Sequence, residues 1–117
     1  MFGASLPKRK LVIGYDFQKF PKTHEFDLVS DDAQIIGEIK SSKSISEASY
    51  KAALVDCLYL TKVQAKKKIL VLTSEMFYNY FKQKASGVIS SEIDVILIKI
   101  EDFVLGIYGH MHQRNLH

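Results

Sequence analysis

The hydrophobic pattern changes period along the chain. In KLVIGYDF, residues 10–17, Leu11, Ile13, Tyr15 and Phe17 fall at every second position, the spacing of one strand face. Residues 18–23, with Pro21, read as a connection. Alternation resumes at Phe26 and Leu28 and again at Ile35, Gly37 and Ile39, while Ser30, Asp31 and Asp32 between them predict a hairpin turning at Asp32-Ala33. After Lys40 the period lengthens. Ser44 and Glu47 fit a capping box, and Ile45, Ala48, Ala52, Val55 and Tyr59 recur at helical spacing to about Gln64. Lys66, Lys67 and Lys68 read as a turn past the far end of that helix, and Ile69-Leu-Val-Leu72 as a strand covered on both faces. Ser74 can cap a second helix from Glu75 to about Lys84, carrying Met76, Phe77, Tyr80 and Phe81. After Ser86-Gly87, residues 93–100 read as another buried strand. Residues 101–108 hold Phe103, Val104, Leu105, Ile107 and Tyr108, and 109–117 form a polar tail.

The predicted order is βββαβαβ, an α/β domain with a mixed central sheet flanked by helices, its later strands parallel through right-handed crossovers. At 117 residues, 47% hydrophobic and 25% charged, the chain 1–117 is expected to be a single globular domain. Sixteen Lys plus Arg against thirteen Asp plus Glu leave a net charge of +3, which permits nucleic-acid binding without arguing for it. The single cysteine, Cys57, excludes an internal disulfide framework and a multi-cysteine zinc site, and reads as a small core residue. No apolar run reaches the length of a secretory signal or membrane span, so the expected location is the cytoplasm, with no membrane partner.

The hairpin carries the candidate chemistry. A turn at Asp32-Ala33 sets Asp27 opposite Glu38, and like charges facing each other across a strand pair destabilise it by roughly 0.2 to 1 kcal/mol. A hard divalent cation such as Mg²⁺, bound through one or two carboxylates, would compensate them. Lys40 lies two positions beyond Glu38 on the same face, where its ammonium can reach a water held by such a cation. The same register sets Glu25 opposite Lys40 as an ion pair, and the plainer account of all four residues is a solvated sheet face. His24, at odd spacing from Asp27, is expected on the other face, as a core-edge or loop contact.

An antiparallel strand pair bearing Asp27 and then Glu38-x-Lys40, within HEFDLVSDDAQIIGEIKSSK, followed by a helix and a core strand, resembles the PD-(D/E)XK nuclease superfamily, the restriction-endonuclease-like fold. The resemblance covers roughly residues 10–72. It implies that Asp27, Glu38 and the backbone carbonyl of Ile39 bind Mg²⁺ or Mn²⁺, that Lys40 positions or activates water, and that the reaction is phosphodiester hydrolysis, on DNA sooner than RNA. Phe26 stands where the superfamily often has proline. The superfamily usually has a helix before the first strand, and the nine residues before Lys10 are too few for one. A trimmed chain, a partner chain completing the site, and a minimal or inactive relative are the three accounts of that difference. The alternative function is a non-catalytic nucleic-acid-binding or assembly module on the same fold.

Ser41, Ser42, Lys43 and Lys51 lie near the start of the helix after Lys40, which borders the active site in that superfamily; they are candidate phosphate contacts, or simply a soluble helix face. His110-x-His112 is a metal-ligand spacing that a polar tail more commonly leaves solvated. The aromatic cluster Phe77, Tyr78, Tyr80 and Phe81 is mostly core by spacing, and its excess points to a homodimer contact. Cutting both strands of a duplex with so small a chain also requires a second active site.

Overall fold

A computed structural model of the chain describes residues 8–99. Strands β1 (Arg9–Tyr15) and β2 (Pro21–Phe26) form an antiparallel ribbon. Single-residue Asp27 parts β2 from β3 (Leu28–Val29), which pairs antiparallel with β4 (Ile35–Lys40). Helix α1 (Glu47–Leu60) leads to β5 (Lys67–Leu72), and α2 (Glu75–Lys84) to β6 (Ile93–Leu97). The four-stranded sheet runs β3-β4-β5-β6, with β4, β5 and β6 parallel. The domain is therefore α/β with a mixed sheet, as expected.

The hairpin register is the predicted one. Leu28 pairs with Gly37 and Val29 with Ile36, which continues to Asp27 and Glu38. The turn is set by its own polar residues: Asp32 Oδ1 accepts from Ser30 Oγ and from the Gln34 amide, and Ala33 takes a φ of 59°. Gly37 is required by the packing, because a Cβ there would lie 2.6 Å from Ile69 Cγ1 and 3.2 Å from Leu28 Cδ1.

Alternation along β4 buries Ile36 and Glu38 on one face, and the parallel register sets them beside Lys68 and Leu70 of β5. That face packs with α1 and α2 in the main core, built on Phe26, Val29, Ile36, Leu60, Leu70, Leu72, Phe77 and Phe81. Leu28, Ile69 and Val71 form a smaller cluster on the other face.

Several expected boundaries move. The connection expected over 18–23 contributes Pro21, Lys22 and Thr23 to β2, and β1 ends at Tyr15, because Asp16 folds back to close a tight turn: its Oδ1 accepts the amides of Gln18 and Phe20. Helix α1 is capped by Ser46, whose Oγ accepts the Ser49 amide; Ser44 makes only a hydroxyl contact with Ser49. The helix ends at Leu60, and its buried face is Tyr50, Ala53, Cys57 and Leu60, while Ala48 and Val55 are exposed. Lys67 and Lys68 belong to β5 and not to a turn; Lys68 is buried and its Nζ donates to Glu92 at 2.7 Å. Helix α2 and its Ser74 cap stand where predicted, with Phe77 and Phe81 buried and Tyr78 and Tyr80 packed against the same core. His110, His112, the tail 109–117 and the last apolar stretch lie outside the described residues. No helix among the described residues is long and apolar enough to cross a membrane.

Candidate active site

Asp27 sits at the bend between β2 and β3, where the ribbon meets the sheet. Its backbone amide donates to Glu38 Oε1 at 3.1 Å, and its own Oδ2 accepts the Ile39 amide at 2.8 Å. The two carboxylates are thus tied to each other's strands by reciprocal backbone bonds. Lys8 Nζ, at the foot of β1, stands 3.9 Å from Asp27 Oδ1.

Glu38 is 4% exposed. Its second oxygen, Oε2, meets His24 Nε2 at 2.9 Å, and the His24 ring stacks on Tyr59 of α1 with centroids 3.9 Å apart. His24 therefore joins the site, against the expectation that it faces away. The parity rule holds only inside an unbroken strand, and the bend at Asp27 turns residues on both sides of it toward Glu38.

Lys40 does not meet Glu25. Its Nζ pairs with Asp56 Oδ2 of α1 at 3.0 Å, whereas Glu25 is exposed and lies opposite Lys10 in the ribbon. The Asp27–Glu38 register extends too briefly to carry β2 alongside β4, so the predicted Glu25–Lys40 pair has no ladder to form on. Asp56 escaped the sequence reading. Its only signal is that it is the one acid after the first turn of the helix, in a stretch, residues 52–60, that is otherwise apolar.

Electrostatics follow burial. Desolvation pushes the Glu38 carboxyl above its ordinary range, aided by the charges of Asp56 and Asp27 and opposed by the bonds from His24 and the Asp27 amide. Burial likewise raises Asp56, against the ammonium of Lys40. Cys57 is pushed up to about 12, first by burial and then by Asp56, so its thiol is an inert core group, as expected.

The three expected catalytic side chains are thus brought to one junction, joined by His24 and Asp56. The carboxylates of Asp27 and Glu38 offer hard oxygens, which suits Mg²⁺, and each carboxylate oxygen keeps a lone pair beyond its present bond. Among the described residues no group of three or more His, Cys, Asp or Glu side chains is arranged to hold a metal ion by itself. Ile39, whose carbonyl was the third expected ligand, is exposed. Ser41 and Lys43 are exposed in the segment after β4, Ser42 is half-buried there, and Lys51 is exposed on α1. A cavity of about 650 Å³ lies at the opposite end of the parallel strands, lined by Ile35, Lys67, Phe81, Lys82 and Asp94 among others. It contains none of these site residues and has a single carboxylate. Comparison with protein-family models, curated proteins and solved structures gave no match to the chain.

Proposed function

We propose that the chain is a metal-dependent nuclease of the PD-(D/E)XK type that hydrolyses phosphodiester bonds of DNA, with Asp27, Glu38 and Lys40 as its catalytic residues. The observation that carries this reading is the reciprocal tie of Asp27 and Glu38, with Lys40 on the face of Glu38. A structure that only needed a wet sheet face would not bury a glutamate to 4% exposure beside two further carboxylates.

Asp27, Glu38 and the Ile39 carbonyl would hold Mg²⁺ or Mn²⁺, which when bound polarises the phosphate and offsets its developing charge. The protein's own residues do the positioning. Lys40 orients the attacking water, and Asp56 keeps that ammonium at the junction. Ser41, Ser42, Lys43 and Lys51 contact flanking phosphates. RNA is the less favoured substrate, the cytoplasm is the place of action, and a second copy or a partner chain supplies what duplex cleavage needs beyond one site.

The test is cleavage of plasmid and oligonucleotide DNA with Mg²⁺ or Mn²⁺. Wild type is expected to cut only with the metal, and Glu38→Gln and Lys40→Ala to lose activity by at least a hundredfold while keeping the fold by circular dichroism. Absence of cleavage with either metal on single-stranded, duplex and branched DNA would refute it. One observation favours the second reading, a non-catalytic nucleic-acid-binding module: both Glu38 oxygens and the Lys40 ammonium already have protein partners. Such a module would keep salt-dependent affinity without turnover.

A further inference from the structure

Among the described residues the β1–β2 ribbon pairs with no other strand, and its tip is built in an unusual way. Tyr15 is 69% exposed, Phe20 62%, and Phe17 is fully exposed, so three aromatic rings stand in solvent within six residues. Folding gains nothing from displaying them; the core anchors of the ribbon are Leu11, Ile13 and Phe26. Yet the tip is fixed in place. Asp16 Oδ1 accepts the Gln18 and Phe20 amides at 2.9 Å each, the Asp16 amide donates to the Phe20 carbonyl, and Lys19 holds a φ of 67°. A rigid aromatic surface pays little ordering entropy on contact with a partner.

Charge indicates which partner. Residues 8–26 carry Lys8, Arg9, Lys10, Lys19 and Lys22, all exposed, against two acids, Asp16, whose Oδ1 accepts the turn amides, and Glu25, which lies opposite Lys10. The ribbon also has a direction. Its foot, where Arg9 pairs with Phe26, adjoins Asp27, and Lys8 touches that carboxylate. Six steps of strand from Arg9 to Tyr15 carry the tip about 20 Å away, roughly six nucleotides of stacked strand.

We infer that the ribbon is a nucleic-acid-binding arm: its lysines and arginine follow the phosphates, and Phe17, Phe20 and Tyr15 stack on unpaired bases at its tip. Exposed aromatics among cations form the platform that single strands recognise, since every base offers a ring face. The inference deepens the function proposed above by naming the substrate form, DNA with unpaired bases near the cut, and rests on that reading for nucleic acid as the ligand.

Fluorescence anisotropy with labelled oligothymidine and labelled duplex, in EDTA, separates the arm from the chemistry. Phe17→Ala/Phe20→Ala is expected to weaken oligothymidine binding roughly tenfold or more and duplex binding by less than about twofold. Phe17→Tyr/Phe20→Tyr is expected to restore it, because stacking survives. Lys19→Asn/Lys22→Gln should weaken binding to both and reduce the salt slope by about one to two. Lack of oligothymidine binding by wild type, or an unchanged affinity in Phe17→Ala/Phe20→Ala, overturns the proposal. So does a dimer that becomes monomeric in that variant by sedimentation velocity while its affinity stays unchanged, since the tip would then bind a second copy. Binding through the tip without any cleavage in Mg²⁺ supports the arm and sinks the nuclease reading; cleavage with binding indifferent to the tip does the reverse.

Discussion

Glu38 is the buried acid of the junction, and its burial ties the stability of the fold to pH. Its carboxyl is raised above the ordinary value of 4.5 mainly by burial, so between the unfolded and folded pKa the folded chain holds the extra proton. The stabilising contribution of that proton is fully present below the unfolded value and is lost as pH rises through the folded one. Gln at this position imitates the protonated acid at every pH, with a carbonyl to accept the Asp27 amide and an amino group facing His24. Glu38→Gln is therefore expected to melt higher than wild type at neutral pH, and the two to converge as pH falls below the ordinary carboxylate range. A lower melting point at neutral pH would contradict this. Paired with lost cleavage, the gain would mark a group retained for chemistry at the expense of stability. Asp27, Glu38 and Lys40 were legible in the sequence because a two-residue period and one turn fix their register. His24 and Asp56 were not, since one is aimed by a bend and the other by a helix packing across the sheet.

The elements were legible wherever a local signal decides them, as for α2, whose Ser74 cap and buried Phe77 and Phe81 match the spacing. Helix α1 was harder. Apolar residues surround it, with Val55 and Leu58 in solvent and Ala53 and Cys57 in the core, so periodicity alone does not select its face. Two serines compete for its cap, and only Ser46 lies one residue before the first helical turn with extended backbone. Ser46→Ala is expected to cost about 1 kcal/mol in urea unfolding and Ser44→Ala to have little effect; equal costs would mean the capping is shared. Strand contact gives a larger effect at Gly37. Its missing Cβ lets β3 and β5 close on β4, and the Ile69 carbonyl lies 3.1 Å from where that carbon would stand. Gly37→Ala should destabilise by about 1 to 3 kcal/mol and disturb the neighbouring Glu38, which unfolding and cleavage assays together would show.

At the scale of the molecule, the candidate site is the seam between two β units that share no ladder among the described residues. The ribbon contributes His24 and leads into Asp27, and the sheet contributes Glu38, Lys40 and, across from them on α1, Asp56. A two-stranded ribbon is marginal by itself, so its persistence depends on Leu11, Ile13 and Phe26 in the core and on the seam. The predicted order βββαβαβ has three strands before the first helix where the fold has four, because the break at Asp27 is one residue long and leaves the alternation visible on both sides. Asp27 on one side of the seam and Glu38 on the other would together hold the proposed cation, so binding should stabilise the ribbon along with the whole domain. A ligand bound only by the folded chain at a hundred times its Kd adds about 2.7 kcal/mol. Millimolar Mg²⁺ is therefore expected to raise the melting temperature of wild type and to slow hydrogen exchange at the amides of Asp27 and Ile39, which already donate within the seam. Glu38→Gln should show neither response, although it folds. If Mg²⁺ changes wild type and Glu38→Gln alike, or changes neither, the carboxylates do not form a cation site and the seam is held by its hydrogen bonds alone.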